Sequence, residues 1–286
     1  MRTLLVGASG QLATDLRSAL PPGDTVPLTH QQLDVCDYAS VRKALETHRP
    51  DVVINTSAYH KVDLCEDETV KPFEVNTLAV RNLALLAKEL DIALVHFSTD
   101  YVFSGAKGRA YNEDDAPGPL SVYGVSKLAG EYFVRTLCPR YYLLRTSGLY
   151  GVAGASGKGG NFVETMLRLA RQGGPVRVVS DQTSSPTYTR DLADKVAELI
   201  GTGKYGLYHV TSSGSTSWYN FACTIFRLAH LDVDIQPVTS EQFGARARRP
   251  AYSVLANRNL KRAGLSPLRP WRQALADYLR VRHPEL

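Results

Sequence analysis

Apolar positions along this chain fall into two alternating textures. Short runs such as "TLLVGA" (3–8) and "DVVINTSA" (51–58) are apolar on consecutive residues. A strand covered on both faces reads this way, because successive side chains point to opposite sides. Between these runs the spacing changes. In "YASVRKALETH" the residues Val41, Ala44 and Leu45 recur at helical intervals, which predicts an amphipathic helix. The same reading predicts strands in "DTVPLTH", "IALVHFSTDYVF" and "RYYLLRTSGLYG", and helices in "QLATDLRSAL", "NTLAVRNLALLAKEL" and "YGVSKLAGEYFVRTL". Strands separated by helices imply right-handed crossovers. The expected fold class is therefore α/β, a doubly wound parallel sheet.

The texture changes after Tyr150. "GVAGASGKGG" (151–160) is expected to be a flexible loop. Beyond it, "NFVETMLRLARQ", "DLADKVAELIG" and "SWYNFACTIFRLA" predict helices, and "VRVVSDQ" and "GLYHVTSS" predict strands. The expected division is a Rossmann-type nucleotide-binding domain at 1–150, rejoined by part of 180–212. Residues 151–286 then form mainly a smaller α/β substrate domain.

The first strand runs into Gly7-Ala8-Ser9-Gly10-Gln11-Leu12-Ala13, which opens the first helix. Glycines let backbone approach a pyrophosphate, and a helix N-terminus offers free N–H groups and a positive dipole end. The spacing is GxxGxxA, and a plain structural turn is the competing reading. The second strand ends at Thr29-His30-Gln31. It lacks the acid that holds a ribose diol and the arginine that holds a 2′-phosphate, so NADPH and NADH both stay open. Asp34 and Val35 follow; Asp34 suits either the adenine end of a cofactor or a loop cap.

Tyr123 and Lys127 stand four residues apart in "SVYGVSKLAGE", on one helix face. An ammonium near a phenol favours phenolate, so Tyr123 is expected to be more acidic than a free tyrosine and to protonate a carbonyl oxygen. A solvated helix face is the bland alternative. Position favours the chemistry, because "Ser98-Thr99-Asp100" ends the preceding strand. Ligands of open parallel sheets bind at strand carboxyl ends. Gly7, Ser57 to His60, Ser98 to Asp100 and Thr146-Ser147 all fall there in this reading.

Composition narrows the class further. The 286 residues suffice for a substantial core, and 44% hydrophobic with 21% charged residues is ordinary for a soluble globular protein. A net charge of +5 suits anionic ligands such as nucleotides without calling for nucleic acid. Cys36, Cys65, Cys138 and Cys223 are scattered, which argues against a metal site or disulfide framework and for a reducing compartment. The opening "MRTLLVGASG" is not a signal peptide, and no apolar stretch suffices to span a bilayer. The expected location is the cytoplasm, with no membrane partner.

At this point the sequence resembles the extended short-chain dehydrogenase/reductases. Within them it is most similar to the dTDP-4-dehydrorhamnose reductase family. "GASGQL", "DVVINTSAYHKVD", "STDYVFSG", "PLSVYGVSKLAGE", "LLRTSGLYG", "DQTSSPTYTRDLA" and "RPAYSVLANRNL" carry the likeness over nearly the full length. The resemblance implies a Rossmann domain for NADPH or NADH and a C-terminal domain closing over a nucleotide sugar. It implies Tyr123 as catalytic acid, Lys127 as its partner and cofactor ligand, and Thr99 as the hydroxyl tuning Tyr123. It puts Gly7, Ser9, Gly10, Gln11, Leu12, Asp34, Val35, Ala58, Tyr59 and His60 on the cofactor, and Thr99 and Asp100 on the sugar.

Some positions depart from that pattern or read as structural. Family members often carry Trp after "RTS", where this chain has Gly148. Some relatives dimerise through a metal held by acids; Asp15 is the matching residue, but a solvated acid on the first helix is preferred and no metal is expected. A homodimer stays open. Trp218 and Tyr219 are expected to pack the C-terminal helix or cap the cleft, and Asn76 to cap its helix. Glu131 is expected either to pair with Lys127 or to face solvent. "RARRP" (246–250) reads as a solvated loop, or as an arginine meeting a sugar-nucleotide diphosphate. The leading expectation is reduction of the C4 ketone of a dTDP-4-keto-6-deoxy sugar. The rivals are a nucleotide-sugar epimerase and a non-catalytic subunit like the β subunit of methionine adenosyltransferase.

Overall fold

Neighbouring residues of each central strand feed opposite cores. Leu5, Ile54, Val95 and Leu144 join one buried cluster, and Leu4, Val53, Leu94 and Leu143 join another on the far side of the sheet. The computed structural model, which describes residues 1–154 and 160–285, builds this from β1 (Thr3–Val6), α1 (Gln11–Ala19), β2 (Thr25–Leu28), α2 (Tyr38–His48), β3 (Val52–Asn55), α3 (Ala79–Glu89), β4 (Ala93–Thr99), α4 (Val122–Leu137) and β5 (Tyr141–Thr146). There follow α5 (Phe162–Gln172), β6 (Val176–Val179), α6 (Thr189–Ile200), β7 (Gly206–His209), α7 (Trp218–Leu228), β8 (Ile235–Val238) and α8 (Trp271–Arg282).

Six strands form one sheet in the order β7-β5-β4-β3-β1-β2, every pair parallel. The doubly wound α/β reading is correct. Pro27 lies in β2, the outermost strand, where its missing N–H costs no inner ladder bond. The helical prediction over 38–48 matches α2 end for end; Asp37 caps it by accepting from the Ser40 N–H at 3.1 Å.

The chain re-enters the sheet after the Tyr150 boundary. β7 pairs with β5, and Leu192, Val196 and Leu199 of α6 join the cluster that holds Leu12 and Leu16 of α1. A third core gathers Tyr150, Phe221, Trp271 and Tyr278 under α5, α7 and α8, beside the parallel pair β6–β8. Residues 155–159 of the expected glycine-rich loop lie outside the described residues. Among the described residues no helix is long and apolar enough to cross a membrane.

Candidate active site

The carboxyl ends of β1, β3, β4 and β5 open into a cleft of about 780 Å³. All fourteen residues singled out from the sequence line it: Gly7, Ser9, Gly10, Gln11, Leu12, Asp34, Val35, Ala58, Tyr59, His60, Thr99, Asp100, Tyr123 and Lys127.

The β1–α1 turn leaves room for backbone and for nothing else. Gly7 has φ +81°, and a Cβ there would come 2.8 Å from Thr56 Oγ1 and 2.9 Å from Ser57 Oγ. The Gly10 N–H donates to the Gly7 carbonyl at 3.0 Å, which closes the turn. Gly10 caps α1 without any side-chain hydrogen bond, so the first-turn N–H groups are left for a ligand. This cradle suits a pyrophosphate. Asp34 accepts from the Cys36 N–H at 2.9 Å, so it closes a turn while lining the cleft.

α4 carries Tyr123 and Lys127 into the cleft. Ser121 caps it through the Gly124 N–H, which sets Tyr123 in the first turn. The Tyr123 ring meets Tyr101 edge-on, centroids 6.0 Å apart. Loss of solvation pushes the Tyr123 phenol well above its ordinary value, and the facing Thr99 hydroxyl works against that rise. The expected acidification by Lys127 is corrected. The Lys127 ammonium, 2% exposed, turns back to β4 and donates to the Phe97 carbonyl at 2.6 Å. Burial lowers its pKa to about 8. Tyr123 is thus held as the protonated phenol, the form an acid catalyst needs.

Both expectations for Glu131 are overturned. It is 1% exposed, takes a two-pronged ion pair from Arg145 (2.9 and 2.6 Å) and accepts from Ser98 at 2.5 Å. Asp100 lines the cleft while Ser253 (2.5 Å), Ser147 (2.8 Å) and Thr99 (3.2 Å) all donate to its carboxylate. Burial raises Asp100 to about 6 against those three donors.

A sequence profile of the family described as the RmlD substrate binding domain matches residues 1–283. A dTDP-4-dehydrorhamnose reductase from Streptomyces griseus is 42% identical over 285 residues, covering 96% of this chain and 92% of the relative. The chain belongs to the dTDP-4-dehydrorhamnose reductase family. The spore coat polysaccharide biosynthesis protein SpsK of Bacillus subtilis is 41% identical, with 98% of each chain covered. The crystal structure of the dTDP-4-dehydrorhamnose reductase of Bacillus anthracis in complex with NADP superposes with a TM-score of 0.92 at 38% identity, covering 97% of this chain and 98% of that one.

This member of the dTDP-4-dehydrorhamnose reductase family is an NAD(P)H-dependent oxidoreductase. Residues of the C-terminal half also line the cleft. Gly148 has φ +54°, and a Cβ there would lie 3.3 Å from Trp218 Cη2 and 3.2 Å from Pro186 Cα. The wall that Gly148 leaves bare is met by Trp218, packed on Phe162 with centroids 4.7 Å apart. Both rings line the cleft. Asp15 is not a solvated acid: it is half-buried and accepts from the Thr189 hydroxyl, tying α1 to α6. Among the described residues no group of three or more His, Cys, Asp or Glu side chains is arranged to hold a metal.

In the basic run at 246–250, Arg246 and Arg248 stay exposed, as a solvated loop would have them, while Arg249 is drawn inward. Arg249 makes a two-pronged pair with Asp63 at 3.1 and 2.7 Å, and Arg246 pairs with Asp67. Arg249 reaches the cleft lining. Sequence reasoning missed Arg249 and Ser253 individually, and it missed Gln182 to Ser184. The last group had a visible signal, since "DQTSS" directly follows a strand pattern.

Proposed function

We propose that this enzyme reduces the C4 ketone of a dTDP-4-keto-6-deoxy sugar with NADPH or NADH in the cytoplasm. Bound NAD(P)H supplies the hydride. The Gly7–Leu12 turn and the N-terminus of α1 hold its pyrophosphate, Asp34 and Val35 flank the adenine end, and Ala58, Tyr59, His60 and Lys127 take the nicotinamide half. The Thr99 hydroxyl, which donates to Asp100 before the sugar arrives, turns its one proton to the ketone oxygen when the sugar binds. Tyr123 gives that oxygen its proton as hydride reaches the carbon, so C=O becomes CH–OH. Asp100 keeps the Ser147 and Ser253 hydroxyls and so fixes Ser147 beside the sugar. Trp218 and Phe162 offer an apolar wall for the ring.

The observation that carries this reading is Tyr123 beside Thr99 in the same cleft as the glycine cradle. Relatives named as reductases favour it over the epimerase and regulatory-subunit alternatives. The test is loss of NAD(P)H absorbance on mixing purified protein with dTDP-4-keto-6-deoxy-L-mannose, beside Tyr123→Phe. Turnover abolished by the substitution supports it. Cofactor binding without turnover on this or related ketosugars would refute it.

A further inference from the structure

Behind the cleft wall a chain of buried polar groups leads to Lys127. The parallel register of β3 and β4 sets Asn55 opposite His96. Both are essentially sealed, at 1% and 0% exposure. The Ser57 N–H donates to Asn55 Oδ1 at 3.0 Å, which fixes the amide with its NH₂ toward the imidazole. Asn55 Nδ2 lies 3.3 Å from His96 Nδ1, and His96 Nε2 lies 3.4 Å from Lys127 Nζ.

The proton count of this chain is decisive. Asn55 can only donate to Nδ1, so Nδ1 is the acceptor and a neutral ring carries its proton on Nε2. Burial holds the ring neutral, with Lys127 adding to the effect. The Nε2–H then faces Nζ. The series Ser57, Asn55, His96, Lys127 is consistent in one direction only if Nζ offers a lone pair. With a charged Lys127 the series has a donor at both ends.

We propose that His96 is a positioning residue for Lys127: its ring, locked by Asn55 with the proton on Nε2, opposes the charged ammonium and keeps that proton loosely held. This rests on Lys127 being the cation of the reductase site. The groups around Lys127 are Tyr123 and Glu131 on its own helix, and His96 and the Phe97 carbonyl, which accepts from the ammonium, on β4. Glu131 favours the charge but is largely consumed by Arg145 of β5. Asp100 and Cys65 act on Tyr123 instead.

Two measurements test it. The first needs no turnover: ¹⁵N spectra of histidine-labelled wild-type protein, with His96 assigned by His96→Gln. The expected spectrum shows the proton on Nε2 and a bare Nδ1 from pH 6 to 9. A proton on Nδ1, or on both nitrogens, overturns the proposal. The second is the pH profile of kcat for Asn55→Asp and His96→Phe. In Asn55→Asp the new carboxylate accepts from both neighbours and moves the ring proton to Nδ1, so Nε2 receives from Lys127. The His96→Phe substitution removes the opposing N–H altogether. Both are expected to move the alkaline limb up by about one pH unit. An unmoved or lowered limb contradicts the proposal. If neither variant folds, the wild-type spectrum decides. If the spectrum is as expected and no ketosugar turns over, the functional reading fails while the tautomer lock stands.

Discussion

In the proposed reaction Tyr123 is the proton donor, and its burial favours the protonated phenol. Replacing it by Phe keeps the ring and its edge contact with Tyr101 but removes the proton. The expected loss in kcat is about 10²–10⁴-fold, with cofactor affinity retained, as read by steady-state kinetics and cofactor titration. Asp100 makes a second prediction. Its folded pKa, about 6, lies above the ordinary 3.8, so between these values the folded state binds more protons than the unfolded chain. Stability therefore falls as pH rises from 4 to 6. Asp100→Asn removes that slope, which thermal melts across the range will show. That Tyr123, Lys127 and Thr99 share one cleft was legible in the sequence because motif and strand end coincide. His96 and Asn55 were not, since two polar residues inside apolar strands announce nothing until register sets them opposite each other.

At the scale of elements, α3 is entered through a π-helical turn, Glu74–Leu78. Asn76 was read as a helix cap; the wider turn aims it elsewhere. Its amide accepts from the Tyr59 N–H at 2.9 Å and donates to the Tyr59 carbonyl and to Ser126 Oγ, both at 3.0 Å. One side chain thus pins the loop after β3 to α4. Asn76→Ala strands buried backbone groups and is expected to cost on the order of 1–3 kcal/mol, measured by denaturant unfolding. The two helices meet at Gly130, where a Cβ would come 2.3 Å from the Asn76 carbonyl. Gly130→Ala must push them apart, at about 1–3 kcal/mol. Periodicity found the sheet and its helices because their apolar faces are wide. A single π turn changes no apolar spacing, so it left no trace. α8 did leave one, with Trp271, Ala274, Leu275, Tyr278 and Leu279 at helical intervals.

Across the whole molecule, the two halves join around the cleft. The Arg249–Asp63 pair ties a C-terminal loop to the loop after β3, and Ser253 reaches Asp100 from the same stretch. Arg249→Ala is expected to raise the KM for the sugar nucleotide while leaving the cofactor Kd unchanged, because the cofactor cradle lies on the β1–α1 turn. The sequence showed "RARRP" as a basic run; its partners, Asp63 and Asp67, sit roughly 180 residues away in the chain and only the fold pairs them. The same holds for Trp218 against Gly148. The central claim is hydride transfer to a sugar ketone with no return. It is tested most directly by incubating the enzyme with NADPH deuterated on the transferred face of nicotinamide C4 and dTDP-4-keto-6-deoxy-L-mannose, then reading the product by mass spectrometry and NMR. The account predicts one deuterium at C4 of the sugar and one oxidised cofactor per product. Product without deuterium, or an altered sugar with no net cofactor oxidation, would contradict it.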